Sequence, residues 1–408
     1  MGASGKVLVV IGGGAAGFFC AVNAARLHPG LSVRILEKTG KLLSKVKVSG
    51  GGRCNVTHNA PGVAALVKKY PRGQNLLKKS FHHFHILNTV DWFAERGVTL
   101  KAEPDGRMFP VTDSSQTIID CLLQEAEKYR VRIDVNTEVT RLEKLSGDRW
   151  RLHLHGDKAI EADYVCVCTG GYPQPEKFNW LRELGHEIAS PVPSLFTFNM
   201  PGNPVTELMG VAVPQAVVKI AGTRLQESGP LLITHWGMSG PVVLRLSAWG
   251  ARSLHELGYK FTAIVNWLPD HQENTLREEW PSLRQSMAGQ KIYQKNIFGL
   301  PQRLWHFLLQ QAGVQEDTRW ADLPSKEQNK LIKYLVAMEF PVQGKTTFKE
   351  EFVTCGGVNL SQLDAATMES RLHKGLFFAG EVMDVDGITG GFNFQHAWTS
   401  GWLVANAL

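Results

Sequence analysis

The sequence predicts an α/β fold whose parallel sheet starts at the N-terminus, is interrupted by a long insertion, and is completed at the C-terminus. Three observations predict it. The β-branched run Val7–Ile11 passes directly into Gly12-Gly13-Gly14-Ala15-Ala16-Gly17, and residues 18–27 then read as a helix closed by Pro29-Gly30. A second glycine-rich turn from strand to helix stands near the other end, where residues 375–381 close on Gly380-Glu381 and Gly390-Gly391-Phe392-Asn393 open a final helix. Between these ends, from about residue 191 to 345, the composition shifts to short strands separated by Gly and Pro and then to amphipathic helices.

At the first turn the spacing is G-x-G-x-x-G, and each glycine has a physical task. Gly12 makes the tight turn, Gly14 removes the side chain that would block a pyrophosphate, and Gly17 lets helix and strand pack closely, with the helix N-terminus facing the phosphates and Ala15 and Ala16 among the expected cofactor-binding residues. A second strand, Ser32–Leu36, delivers Glu37 and Lys38 about twenty residues further on, where a carboxylate can take ribose hydroxyls. Strand, glycines, helix, strand and acid in register make this a Rossmann-like dinucleotide fingerprint.

FAD and NAD share that fingerprint, and the C-terminal turn decides for FAD. A flavin and its ribityl chain need an anchor beyond the ADP half, and Gly380, Glu381, Asp386, Gly390, Gly391, Phe392 and Asn393 supply an acidic, glycine-rich one. Glu381 is expected at the ribityl or pyrophosphate region, and the amides around Gly391 and Phe392 at the flavin N1 and C2 carbonyl. A helix N-terminus there stabilises negative charge on the reduced ring. The stretch Ser49-Gly50-Gly51-Gly52-Arg53-Cys54-Asn55 is the expected partner of that ring. Its glycines admit positive φ and close ligand approach, Arg53 and Asn55 carry directed donors, and Cys54 is an acid or nucleophile; a glycine-rich loop around a buried thiol is the competing reading.

Farther along, residues 68–85 interleave Lys68, Lys69, Lys78 and Lys79 with Tyr70, Phe81, Phe84 and three histidines. This mixture suits phosphates and stacked bases, or else a solvated helix whose Phe81, Phe84 and Leu87 face the core. The histidines lack the spacing of a metal site, and no metal is expected. Residues 90–96 and 117–129 have helical spacing, residues 131–135 read as a strand, and residues 140–145 with 150–155 as an antiparallel meander beginning next to Val139, a further expected cofactor position. Residues 164–169 form a strand running into Thr169-Gly170-Gly171, expected beside the ADP portion, and Pro173 and Pro175 mark the exit from the first part. The domains expected are residues 1–190 and 346–408, together binding FAD, and an inserted 191–345.

Within the insertion, residues 210–220 and 224–234 alternate as hairpin strands, and helices are expected around residues 276–284, 304–311 and 325–335. A second G-x-G-x-x-G is absent from it, so NADH or NADPH is expected to bind transiently over the flavin rather than in a second Rossmann unit. His235, in Thr234-His235-Trp236-Gly237, is either a substrate-facing residue or a core histidine satisfied by the backbone.

Taken together these segments resemble the bacterial BaiN/RdsA-type flavoprotein family, which contains ribosomal RNA dihydrouridine synthase, a bile-acid dehydro-reductase and aminoacetone oxidase. The likeness rests on the glycine fingerprint, Lys45 with residues 49–55, Gly106-Arg107-Met108-Phe109-Pro110, Thr169-Gly170-Gly171, residues 234–241, Thr354-Cys355-Gly356-Gly357-Val358, and residues 380–393, in the family's order. It implies FAD, a small β-barrel about residues 191–268 and 336–345 with a helical appendage about 269–335, Lys45 near the cofactor, and Arg107 near the active-site side. Cys355 stands where the family usually has a small apolar residue, and no shared role is given to it.

Composition sets the remaining bounds. A chain of 408 residues exceeds one hydrophobic core, and six cysteines in such a length, without a C-x-x-C pair, are expected to be reduced thiols. The absence of a signal-like start and of any long apolar run gives a cytoplasmic expectation with no membrane partner. The net charge of +6 permits an anionic partner without requiring one. The reaction expected is hydride delivery to an electron-poor alkene carbon, with Cys54 as proton donor and His396 or His235 as rivals. The substrate classes weighed are 23S rRNA or a ribosome precursor, a small enone or amine, and none at all, as in a flavin-bearing binding protein.

Overall fold

The computed structural model describes residues 5–156, 158–347 and 353–408, which fall into two compact units, Met1–Ser194 with Phe348–Leu408, and Leu195–Thr347. In the first unit five strands form one sheet in the order Leu376–Phe378, Tyr164–Val167, Val7–Ile11, Ser32–Leu36, Arg132–Asp134. Every neighbouring pair is parallel. A parallel sheet is covered on both faces, which is why its strands read as VLVVI, YVCV and LFF rather than as alternating patterns. The C-terminal strand thus completes the sheet that the N-terminal strand begins.

Two helices pack together on this unit, Ala15–Leu27 and Phe392–Asn406. Gly401 permits the close approach, because a Cβ there would press on the Ala16 carbonyl and the Cys20 amide. The first helix begins at Ala15, not at residue 18, so Gly17 lies inside its first turn. Three small sheets complete the unit: Thr57–His58, Arg107–Pro110 and Leu100–Ala102; Val139–Lys144, Trp150–Leu154 and Ala159–Ala162; and Ile188–Ser194 with Val353–Val358. In the last of these Ser194 and Val353 are register partners, so the chain leaves the unit and re-enters it through paired strands.

In the second unit seven strands follow the order Met338–Gln343, Lys260–Asn266, Ala212–Ile220, Gln226–Thr234, Gly237–Ser239, Thr197–Asn199, Lys345–Thr346. The two outermost strands are consecutive in sequence and are joined by Gly344 alone. Its amide donates to the Tyr259 carbonyl (2.8 Å) and its carbonyl accepts from the Asn199 amide (3.1 Å), so one bent segment pairs with both edges and the sheet closes on itself. Helices Glu273–Ser286, Gln302–Ala312 and Ser325–Ala337 pack with it around a core that includes Trp267, Trp280, Trp305 and Trp320.

Candidate cofactor site

The fingerprint glycines divide the tasks of the turn. Gly12 has φ +114°, and a Cβ on it would collide with the Cys168 carbonyl; a Cβ on Gly17 would collide with the Gly12 carbonyl. At Gly14 nothing lies within 4 Å of where a Cβ would sit. The helix that follows has no side-chain cap, so its first amides face a space that an anion can fill. Glu37 adjoins this turn, accepting from the Gly13 amide at 2.9 Å with one oxygen and from the Thr39 amide and hydroxyl, both at 2.9 Å, with the other. The Thr137 amide donates to the Glu37 carbonyl at 2.8 Å, which brings the strand starting at Val139 alongside. Lys38 lies 5.4 Å from the centre of the Tyr172 ring, just past Thr169, Gly170 and Gly171. Four separate segments thereby meet around the glycine turn.

A second cluster surrounds Glu381, whose carboxylate accepts from Lys45 Nζ at 2.7 Å and from the Thr354 amide at 2.9 Å. Gly171 has to be glycine here, since a Cβ would overlap both the Thr354 hydroxyl and the Glu381 carboxylate. Among the described residues Thr354 Oγ1 and His396 Nδ1 are buried without a hydrogen-bond partner. Buried polar atoms left unpaired are costly, and a bound polar ligand is one way to satisfy them.

Residues 49–55 form the third piece. A short helix from Ser44 breaks at Ser49 (ψ 147°), and Gly50, Gly51 and Gly52 take φ of +60°, +69° and +85° in succession. No residue but glycine adopts three such conformations cheaply. Cys54 shares the left-handed region at φ +60°, an uncommon conformation for a residue with a side chain and one often found at functional sites. Its amide donates to the Ser49 carbonyl at 2.9 Å, its side chain is wholly buried, and that burial pushes the thiol up to about 12. The loop is held against the start of the last helix through the Asn55 amide, which in the orientation that satisfies both ends donates to the Thr57 carbonyl (2.9 Å) and accepts from the Gly391 amide (3.0 Å).

Several residues expected to face the cofactor hold the loops instead. Asp386 is fully buried, paired with Arg72 and accepting from the Ser194 hydroxyl at 2.8 Å, so its carboxylate is consumed by protein. The Asn393 side chain clamps Gly387, accepting from its amide at 2.8 Å and donating to its carbonyl at 3.0 Å. Arg53 donates to Glu103 at 2.7 Å and lies 4.0 Å from the Phe109 ring centre, while Arg107, half exposed, is engaged by Glu103 at 2.9 Å and Asp105 at 2.7 Å. Those carboxylates compete with any substrate anion for the two guanidinium groups. His396 is buried, donates from Nε2 to the Gly380 carbonyl at 3.3 Å, and is held down to about 4 by burial, which leaves the ring neutral near pH 7. His235 belongs to the other unit, where its exposed ring meets Trp236 at 4.4 Å.

In residues 68–85 the rings of Tyr70, Phe81 and Phe84 are buried and cannot stack on bases, whereas Lys68, Lys69, Lys78, Lys79, His82 and His83 are exposed; Leu87, expected to face the core, is 65% exposed. Among the described residues no group of three or more His, Cys, Asp or Glu is placed to hold a metal, and no helix is long and apolar enough to cross a membrane.

His58 and Thr354 escaped the sequence reading as site residues. His58 packs its ring 4.6 Å from that of Phe392, and its Nδ1 lies 3.1 Å from the Gly390 carbonyl. No spacing marks it; only the strand register His58↔Arg107 brings it there. Thr354 has a clearer signal, since it directly precedes the Cys355-Gly356-Gly357 run that pairs back to residues 188–194.

These residues fit an FAD. Open backbone at Gly14, an acid at Glu37, unpaired buried polar atoms near Glu381 and glycine-run loops beside a second helix start are the features such a group requires. Relatives align with this chain over nearly its whole length. The ribosomal RNA dihydrouridine synthase of Escherichia coli is 32% identical over 98% of this chain and 97% of its own, and that of Haemophilus influenzae 29% over 97% of each. The 3-dehydro-bile acid delta(4,6)-reductase of Clostridium scindens is 28% identical over 98% of both. Among solved structures, the 3-ketosteroid-delta4-(5alpha)-dehydrogenase of Rhodococcus jostii shares the fold at 15% identity, with a TM-score of 0.51 over 98% of this chain and 96% of that one. The profile of the HI0933-like protein Rossmann domain matches residues 6–407, and by that match the chain belongs to the HI0933-like Rossmann-domain family.

Proposed function

We infer that this protein uses NADH or NADPH, through FAD, to reduce an activated carbon–carbon double bond, and that its substrate is uridine in 23S rRNA, converted to dihydrouridine. The observation that carries the reading is the buried Cys54 thiol, held in a left-handed conformation inside a glycine loop that is bonded to the start of the last helix. Two relatives bearing the name ribosomal RNA dihydrouridine synthase support the choice of substrate.

When bound, FAD would supply the hydride that the alkene carbon receives. The protein does the rest. Amides at Gly14, Ala15 and Ala16 hold the pyrophosphate, Glu37 the adenosine ribose, Lys45 and Glu381 the central portion, and the amides from Gly391 onward stabilise negative charge at the far end. Cys54 donates the proton to the neighbouring carbon. Burial keeps its thiol protonated near neutrality, and uncovering it as substrate enters would lower its pKa toward the working range of an acid. Because it is covered, substrate access requires the loop to shift, and Gly50, Gly51 and Gly52 are the residues able to do so.

The test is the dihydrouridine content of 23S rRNA with and without the gene, measured by nucleoside mass spectrometry. Loss on deletion, restored by the intact gene but not by Cys54→Ala, is expected, with flavin reduction by NADH or NADPH retained in the variant. Unchanged dihydrouridine on deletion rules the rRNA substrate out. The reading then passes to a small enone, favoured by the bile-acid reductase that shares 28% identity over nearly the whole chain.

A further inference from the structure

A cleft of about 950 Å³ lies in the first unit, away from the fingerprint, lined by Pro71, Gly73, Asn75 and Lys79 on one side and by Ser361 and Arg371 on the other. The helix Gln74–Ser80 with residues 71–73 before it builds the first wall, and the short helix Val63–Val67 precedes them. Their interior is apolar: the Tyr70 and Phe81 rings pack 5.7 Å apart, both buried, and the Ser80 hydroxyl donates to the Ala365 carbonyl at 2.9 Å, fixing the opposite wall. Outside this buried pair stand Lys68, Lys69, Lys78 and Lys79, all exposed, and none of them has an ion-pair partner among the described residues. Elsewhere on this unit cations are commonly matched by acids, as with Arg149 and Arg151 on Glu161. Four unneutralised lysines, of which Lys79 lines the cleft, together with Arg371, which is paired with Asp364 at 3.4 Å, form a surface that attracts a chain of phosphates.

The same segment also grips the loop assigned to the cofactor. The Ile388 amide donates to the Lys69 carbonyl at 3.0 Å, Arg72 is paired with the buried Asp386, and Gly73, at φ +86°, packs against the Val385 side chain. Residues 68–79 therefore carry four exposed lysines and also hold residues 385–388. We propose that this lysine face, with the Arg371 cleft, is the docking surface for the phosphodiester backbone of a polynucleotide substrate. It recognises charge and spacing, the Tyr70, Phe81 and Phe84 rings being inside. The inference rests on the rRNA reading above and adds the surface that would hold the RNA.

The experiment uses the full chain loaded with FAD and an unmodified 23S rRNA transcript, with filter retention measured across a series of KCl concentrations. For the wild type the logarithm of the binding constant should fall linearly with the logarithm of salt. The quadruple variant Lys68→Ala, Lys69→Ala, Lys78→Ala, Lys79→Ala should bind at least about tenfold more weakly and lose roughly 3 from the slope, at about 0.7–0.9 per phosphate contact. Flavin content and the rate of flavin reduction by NADPH should be unchanged in it. The single variant Lys79→Glu provides the same comparison if the quadruple variant does not fold. A wild-type slope retained in the variants overturns the docking surface and leaves the rRNA reading standing. A raised KM for NADPH with an unaltered RNA slope overturns it too, assigning the lysines to the dinucleotide phosphates. No salt-dependent retention by the wild type removes both the surface and the RNA substrate.

Discussion

Arg72 and Asp386 form a bidentate ion pair, Nε on Oδ1 at 2.5 Å and Nη2 on Oδ2, with the carboxylate wholly buried. Burial pushes the Asp386 carboxyl up and Arg72 pulls it back, and the Ser194 hydroxyl adds a third bond. Such a pair contributes little net stability against an apolar replacement, yet removing one partner strands the other. Arg72→Met should therefore cost about 3–5 kcal/mol in chemical denaturation, and Arg72→Met with Asp386→Leu should recover most of that loss. Both should hold flavin less well than the wild type, because Asp386 heads the loop that leads to Gly390 and Gly391. A single variant as stable as the wild type would show that the pair is not what closes this loop.

The fingerprint allows a cleaner separation of folding from binding. Gly14 has ordinary backbone angles, φ −93° and ψ −169°, and open space where a Cβ would go, whereas a Cβ on Gly17 would overlap the Gly12 carbonyl. Gly14→Ala should leave the melting temperature within error, the stability change staying under about 0.5 kcal/mol, and weaken FAD by on the order of tenfold or more. Gly17→Ala should cost about 1–3 kcal/mol through overpacking whether or not FAD is present. Thermal melts of flavin-free protein, paired with flavin titration by fluorescence quenching, measure the two effects. Undiminished FAD affinity in Gly14→Ala would remove that glycine from the pyrophosphate site.

The difference between these two cases explains what the sequence could reveal. Gly12, Gly14 and Gly17 act within one turn, so spacing alone carries their roles, and the same holds for the left-handed run at Gly50, Gly51 and Gly52. The parallel sheet was legible for a related reason: a strand covered on both faces needs unbroken apolar sequence. Asp386, by contrast, was read as a cofactor ligand because an acid in a glycine-rich loop has that chemistry. Its partner stands 314 residues earlier, and nothing local announces it. Asn55 and Asn393 behave likewise, their amides being spent on backbone brought close only by folding. The barrel closure at Gly344 depends on two edges meeting in space, and no single-segment pattern encodes that.

His396 gives a dependence on pH whose sign follows from its burial. Its Nε2 donates to the Gly380 carbonyl, its Nδ1 has no partner among the described residues, and burial lowers it from the ordinary 6.5 to about 4. Above about pH 6.5 the ring is neutral in both folded and unfolded chains and adds no pH dependence. As pH falls below 6.5 the unfolded chain takes up the proton first, so stability declines between about 6.5 and 4 and levels off once the folded ring also protonates. The contribution lost over that window is about 3 kcal/mol, at 1.36 kcal/mol for each unit of pKa difference. His186, lowered to about 4 by burial despite its bond to Gln362, adds a decline in the same window. Urea midpoints of the flavin-free protein should fall across this range, and His396→Gln, which keeps a donor for Gly380 but does not titrate, should flatten the decline by roughly the His396 share. A profile in His396→Gln parallel to that of the wild type would mean that the ring is solvated in the folded protein, and Nδ1 would then be no candidate for a bond to bound cofactor.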